Sequence, residues 1–350
     1  MIFGGRQLIG LDIGSSSIKM IELKATGKTF KINRFGMAPL PPGLVEGGEV
    51  LDPGVLSGII SGLHKELGLR TKHVCSGMFG GAVIVKKISI PRIDPKLISE
   101  QIKWEAEQYI PFDLSEVNLD YHLLKSNQSS ETMDILLVAA KQDFIIRYYE
   151  AIESAGLHCS IIDVNGFALA NCFEMNYGAR NGQTLALINI GSGVSNLVIV
   201  DNGEVVFCRD IPIGGNLYNM EIARELGVSQ AEAEDLKIGS TRASESPPEL
   251  SAVISATNEM ICDEIRNSFD FYDSSNSGPE VGSIFLSGGS IHIPQLVEAI
   301  ANGTQKDCQV LNPLQNVEYS AKEFSPDYMN QIAPFLAVSI GLAARKVGDS

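Results

Sequence analysis

The stretch LIGLDIGSSSIKMIEL at residues 8–23 returns without a gap as LALINIGSGVSNLVIV at residues 185–200. In register, Asp12 meets Asn189, Gly14 meets Gly191 and Ser15 meets Ser192, with apolar positions in step on either side. Each copy is an apolar run, a short polar Gly/Ser turn and a second strand-like run. Further strand-like sequence follows both, FKINRFGMAPL after the first and GEVVFCRDIPI after the second. Such runs joined by a small Gly-containing turn signal a β-hairpin. Their recurrence predicts two related halves, each opening on the same hairpin.

A chain of 350 residues has room for such a duplication. Its 44% hydrophobic and 20% charged residues fit a soluble globular protein rather than a fibrous or disordered one. No apolar stretch approaches the roughly 18–20 residues that cross a bilayer, and the leading MIFGGRQ lacks the pattern of a secretion signal, so the expected compartment is the cytoplasm. Cys75, Cys159, Cys172, Cys208, Cys262 and Cys308 are scattered without a CxxC pair, and they read as small core residues rather than disulfides or zinc ligands. A formal net charge of −15 without a basic patch argues against nucleic acid and suits a basic peptide, such as the segments flanking membrane helices.

Between the two copies the chain has its own rhythm. AVIVKKISI reads as a strand, and Pro95 as the first residue of a helix running to Pro111, with Leu97, Ile98, Ile102, Ala106, Tyr109 and Ile110 on its apolar stripe. VNLDYHLL and MDILLVAAK read as strands around the polar loop KSNQSSET, followed by the helix QDFIIRYYEAIESAG and the strand HCSIIDV. This order predicts a small split βαβ insertion within the first half. Trp104, the single tryptophan, lies off the stripe and either staples the insertion to the main domain or lines a groove, with packing the first expectation.

The second half carries a helical block, LYNMEIARELGVSQAEAEDLK, a polar linker, GSTRASESPPE, and a helix from Leu250 to Asp273. GSIFLSGGSIHIPQLVEAI reads as strand, turn and helix, and MNQIAPFLAVSIGLAARK as one buried apolar helix returning to the first half. The expected units are residues 1–85 with 160–182, an insertion at 86–159, a second domain at 183–328 and a returning helix at 329–350.

The turns carry the chemistry. Asp12-Ile13-Gly14-Ser15-Ser16-Ser17 can turn backbone N–H groups and three hydroxyls into one concavity, as a chain of phosphate oxygens requires. Lys19 projects from the same side as Ser15 and Ser17 as a point charge, and Asp12 suits Mg2+ held through water.

Paired phosphate hairpins, a later LSGG turn and a helix leading back to the first half resemble the actin and sugar-kinase ATPase superfamily. The small insertion resembles that of FtsA, and IKWEAEQYIPFDLSEVNLDYHLL resembles most closely the PilM family of type IV pilus assembly. The resemblance implies an α/β, actin-like fold of two related domains around a nucleotide cleft that takes ATP and Mg2+. By position, Asp12, Gly14, Ser15, Ser16, Ser17 and Lys19 match the first phosphate segment, and Asn189, Gly191, Ser192, Gly193 and Val194 the second. Gly214, Gly215, Glu234, Lys237, Gly288, Gly289 and Ser290 match segments lining ribose and adenine, and Asp163 and Asn165 fall where a polar side chain approaches the attacking water. The implied partner is the cytoplasmic N-terminal tail of the inner-membrane protein PilN, gripped between the first subdomain and the insertion. Through it the family reaches PilO, the pilus motor ATPases, the inner-membrane periphery and twitching motility.

One departure stands out. Hydrolysing members place an Asp where this chain has Asn189, and an amide neither brings charge to Mg2+ nor takes a proton from water. Losing one preorganised group of this kind costs on the order of a hundredfold in rate. The expectation is ATP binding with weak or no hydrolysis. Two other classes share the fold: a filament-forming protein like FtsA or MreB, and a small-molecule kinase. The ending LAARKVGDS has no amphipathic extension for FtsA-style membrane attachment, and Asn189 and the insertion suit a kinase poorly.

Overall fold

The computed structural model describes residues 8–27, 29–125, 131–240, 247–275 and 278–348. The leading MIFGGRQ, the centre of the KSNQSSET loop and most of the GSTRASESPPE linker lie outside the described residues.

The first half opens with β1 (Ile9–Ile13), β2 (Ser17–Thr26) and β3 (Thr29–Pro39), an antiparallel meander. A short hairpin, β4 (Val45–Glu46) and β5 (Glu49–Val50), leads to α1 (Pro53–Glu66) and to β6 (His73–Met78), which runs parallel to β1. Helix α1 starts where its sequence dictates: Asp52 accepts a hydrogen bond from the Val55 N–H at 3.0 Å, and Pro53 sits where no N–H is needed. Next come β7 (Val83–Pro91), α2 (Ile98–Tyr109), β8 (Val117–Leu123), β9 (Thr132–Lys141), α3 (Gln142–Ser154), β10 (His158–Val164) and α4 (Asn165–Tyr177).

The second half repeats the plan. Strands β11 (Thr184–Ile190), β12 (Ser195–Asp201) and β13 (Glu204–Ile211) form a meander. Helices α5 (Gly215–Leu226), α6 (Gln230–Ser240) and α7 (Pro248–Ser275) precede β14 (Ser283–Ser287), α8 (Leu296–Thr304) and β15 (Asp307–Val310). The chain closes with β16 (Val317–Glu318), α9 (Pro326–Ile332) and α10 (Ala337–Ala343). The sheet orders are β10-β6-β1-β2-β3-β16 and β13-β12-β11-β14-β15. Each sheet therefore joins an antiparallel meander to two parallel strands at its first strand, which is the duplication that the paired hairpins announce.

Strands β7, β9 and β8 form a separate antiparallel sheet with its own core, in which Ile98, Ile102 and Ala106 of α2 pack on Ile88, Ile90, Ile135 and Leu137. The strand and helix order expected for the insertion holds. Its last two elements join the main body: β10, whose residues 160–164 fall in the expected first unit, pairs in parallel with β6, and Tyr148, Ala151 and Ile152 of α3 join the core of the first sheet. The apolar stripe of α2 is also narrower than its sequence suggests. Leu97 and Tyr109 are 53% and 43% exposed, and Trp104, expected to be packed, is 65% exposed. A three-stranded sheet offers one helix little width, and Trp104 falls outside it.

Helices α4 and α10 lie between the two sheets. Leu169 and Phe173 of α4 and Ala337 and Ile340 of α10 share a cluster with Ile21 and Leu23 of the first sheet and Leu187 and Val198 of the second. The C-terminal segment, expected as one helix, is three pieces: α9, a 3-10 turn at Ala333–Leu336, and α10. Pro334 cannot donate to the helical ladder, and its carbonyl instead accepts the Gly288 N–H at 2.9 Å. A side chain at Gly341 would overlap the Ala168 carbonyl, so the two helices meet backbone to backbone there. Gly341→Ala should therefore cost about 3 kcal/mol or more, the upper end of overpacking effects. Gly58→Ala, on the open face of α1 with no atom within 4 Å, should change stability by no more than about 1 kcal/mol. Urea unfolding of both variants checks the contrast.

Candidate functional site

The two turns face each other. Gly14 N–H donates to the Ser17 carbonyl at 3.0 Å, and Gly191 N–H to the Val194 carbonyl at 3.2 Å, so both are closed by the same bond. A Cβ on Gly193 would stand 2.8 Å from Ser15 Oγ and 3.2 Å from Ser15 Cβ, so the halves approach closely here and a side chain at 193 would displace the serine. Val194 leaves the second turn to pack among Ile13 and Ile18 of the first sheet.

Behind each turn lies a cross-strand pair of different chemistry. In the first half, Asp12 and Lys19 are direct partners across β1 and β2, both buried, with Nζ 2.9 Å from Oδ2. The charge expected for phosphate is thus held on the carboxylate expected for magnesium. In the second half the same positions are Asn189 and Asn196, with Asn189 Nδ2 donating to Asn196 Oδ1 at 3.1 Å. Asn196 in turn donates to Asp210 Oδ1 at 2.7 Å, and the Gly80 N–H donates to Asp210 Oδ2 at 2.5 Å. Burial pushes the Asp210 carboxyl above the usual carboxylate range, against the pull of those two hydrogen bonds.

The second half supplies a wall. Gly215 N–H donates to the Gly191 carbonyl at 2.9 Å, and Ser290 Oγ to the same carbonyl at 3.0 Å. Gly214 has no room for a side chain against Gly191, and Ser192 Oγ donates to Asn216 Oδ1 at 2.7 Å. Gly288 takes φ +94, and Gly289 lies under the Phe335 ring. Lys237 is buried, with Nζ 3.2 Å from the Gly215 carbonyl and 2.6 Å from Glu234, whose carboxylate also accepts from Asn219 at 2.5 Å.

Asp163 and Asn165 stand apart from this wall. Asp163 accepts from its neighbour Val164 N–H at 2.8 Å and pairs with Arg345 at 3.3 Å, which ties the chain's last turn to β10. Asn165 opens α4 with its side chain against Gly77.

Asn196, Asp210, Asn216 and Asn219 are absent from the sequence reading. Only Asn196 had a visible signal, since it takes the place of Lys19 when the repeats are aligned. Two turns touching at glycine, three serine hydroxyls and a ring of backbone groups fit a chain of phosphates. Among the described residues the buried Oδ1 of Asn219 has no hydrogen-bond partner, so polar capacity remains beside Glu234 and Lys237, and Asn165 Oδ1, against Gly77, is likewise without one. Among the described residues no cluster of three His, Cys, Asp or Glu side chains suits a metal, so Mg2+ would rest on Asp12, phosphate oxygens and water. A separate cavity of about 380 Å3 lies between β7, β13 and the end of α7, lined by Val85, Lys86, Arg209 and Phe271 as well as Gly80 and Asp210.

A family model for type IV pilus assembly protein PilM matches residues 10–347. Among solved structures, the chain is similar to one in a PilM-PilN type IV pilus biogenesis complex, with 26% identity and a TM-score of 0.88, covering 99% of this chain and 100% of that one. It is similar in fold to the ethanolamine utilization protein EutJ of Carboxydothermus hydrogenoformans, at 14% identity and a TM-score of 0.59 over 97% and 90% of the two chains. EutJ of Escherichia coli strain K12 is 24% identical over 147 residues, 42% of this chain and 46% of that protein, so the match spans about half of the curated relative. The fold is that of the actin-like ATPases.

The Asp12–Lys19 pair gives the site a direct stability test. Lys19→Met should cost about 3–5 kcal/mol, because it leaves a buried carboxylate alone, and Asp12→Asn with Lys19→Met should recover most of that loss. Denaturant unfolding of the single and double variants measures both.

Proposed function

Because the chain belongs to the PilM family of type IV pilus assembly proteins, we propose that it binds ATP with Mg2+ between its two halves and holds the cytoplasmic N-terminal tail of PilN. The observation that carries the nucleotide part is the pair of touching turns, with Asp12–Lys19 behind one and Asn189–Asn196 behind the other. Backbone N–H groups and the hydroxyls of Ser15, Ser16 and Ser17 cradle phosphate oxygens, Ser192 is held beside them by its bond to Asn216, and the Lys19 ammonium has N–H donors beyond the one it gives Asp12. Gly214, Gly215, Lys237 and Ser290 wall the ribose end, where Asn219 offers an unused acceptor. Bound Mg2+ supplies charge neutralisation for the phosphates, and Asp12 is the carboxylate able to hold it through water.

Hydrolysis is slow or absent in this reading. Asn189 cannot take a proton, and Asp163 is already paired with Arg345. Single-turnover measurements should give a rate about a hundredfold or more below that of hydrolysing relatives.

The partner reading rests on family membership, the similarity to a PilM-PilN complex and charge. A net charge of −15 complements a basic tail, and an extended segment binds best by backbone pairing with a free sheet edge plus a few apolar pockets. Strands β7 and β8 are the edges of the inserted sheet, and Trp104 stands exposed on α2 near Glu100 and Glu107. Nucleotide acts by favouring one orientation of the halves, which requires different affinities for the two states. Through PilN the protein reaches PilO and the motor ATPases at the inner membrane and serves pilus biogenesis and twitching.

Titration of a fluorescent synthetic PilN tail, with and without ATP and Mg2+, tests the whole reading. Binding that changes with nucleotide is expected, and no binding in either condition overturns the partner reading. Trp104→Ala should weaken the tail about tenfold while leaving ATP affinity unchanged.

A further inference from the structure

The side chains behind the second turn form a chain with one fixed end. Asn189 Nδ2 donates to Asn196 Oδ1, Asn196 Nδ2 donates to Asp210 Oδ1, and the Ser287 hydroxyl lies 3.4 Å from Asn189 Oδ1 and 3.4 Å from the Ile188 carbonyl, either of which takes its proton. The two ends of an amide have nearly the same shape, so neighbouring chemistry decides which way each one points. Asp210 decides it here. Both carboxylate oxygens accept, one from Asn196 and the other from the Gly80 N–H, and an ionised carboxylate has nothing to donate. Asn196 must therefore give Asp210 its NH2 and keep its oxygen for Asn189. Asn189 must give Asn196 its NH2, which leaves its own oxygen on the side of Ser287 and of the partly exposed end of β11.

We propose that Asp210 is a positioning residue for the second turn: its charge, acting through Asn196, makes Asn189 present an oxygen rather than an NH2 group on the side of Ser287 and the partly exposed end of β11 that leads into the turn. The proposal rests on the nucleotide reading above and sharpens it. An oxygen there accepts a hydrogen bond from a water of hydrated Mg2+ or a water beside the phosphates, whereas an NH2 group would repel such donors. The carboxylate missing at position 189 is thus present two side chains away, where it orients without itself touching the ligand.

The same carboxylate belongs to a second structure. Gly80 closes the turn from which the inserted sheet departs, because its carbonyl accepts the Val83 N–H at 3.0 Å, where β7 begins. Asp210 therefore ties the root of the insertion, in the first half, to the turn of the second half. The cavity of about 380 Å3 opens on the other side of this clamp, lined by Gly80 and Asp210 themselves.

A purely structural Asp210 and an orienting one predict different mutant patterns. In Asp210→Asn, the fixed Gly80 N–H claims the new amide's oxygen, so the NH2 faces Asn196, both amides turn over, and Asn189 presents NH2. In Asn189→Asp alone, Asn196 stands between two carboxylates with only one NH2 to offer. In the double variant the reversed chain ends on the new carboxylate and every bond is made.

The test measures thermal melting without ligand and calorimetric affinity for ATP with and without Mg2+, on the wild type, both single variants and the double. Asn189→Asp is expected to lower the melting temperature by several degrees, and adding Asp210→Asn to restore it. Asp210→Asn alone should weaken ATP about tenfold in Mg2+ and little without it, with the double variant regaining the Mg2+ effect. An Asn189→Asp variant as stable as the wild type, or a double variant worse than either single, overturns the orienting role. If the wild type binds no ATP, the nucleotide reading fails and the positioning role falls with it. The melting series then reports separately whether the amide chain is polarised.

Discussion

The cleft exists because two helices approach to backbone contact between two sheets. Gly341 of α10 lies on the carbonyl of Ala168 in α4, and Gly10 of β1 leaves no room for a side chain against the backbone of Ser339 and Ala343. Interiors pack densely and shift in discrete steps rather than bending smoothly, so a spacing set by backbone is harder to relax than one set by side chains. That seam fixes the separation of the sheets, and the separation brings Gly193 to Ser15.

With the turns fixed, their chemistry is unequal. The first half places a full ion pair behind its turn. Removing two charges from water is costly, and Asp12 and Lys19 offset that cost by satisfying each other. The second half replaces the pair with two amides and moves its charge back to Asp210 on the next strand. An amide relay cannot neutralise a cation or accept a proton, but it holds direction, because a carboxylate at one end leaves only one arrangement that makes every bond. The two turns are thus backed by different chemistry, an ion pair on one side and a directed amide chain on the other.

The sequence carried this picture unevenly. Hairpins and repeats are local, and the turns at Gly14 and Gly191 could be read because a two-period pattern and a small polar turn dictate them. The exposure of Trp104 depends on the width of the sheet beneath α2, and the departure of β10 from the insertion depends on which parallel neighbour is free. Neither is written in a window of a dozen residues. The broken C-terminal helix had a visible cause in Pro334, yet its extent follows from Gly288 reaching across to claim a carbonyl. Asp210 was the hardest to read: in GEVVFCRDIPI it is one carboxylate in a strand, and only the register β12 to β13 places it beside Asn196.

That register also explains why an insertion at this point can feel the second turn. A sheet added after β6 has to leave the first half beside Gly80, and β13 is the edge of the second sheet that runs past this exit. An edge strand has backbone groups and side chains free to meet a neighbour. Asp210 uses that freedom for one backbone donor of the other half, so a rotation of the halves must either carry the insertion root along or break a part-buried, charge-assisted hydrogen bond, which is worth more than a neutral one. Carrying the root along keeps that bond, and it couples the position of the second turn to that of the inserted sheet.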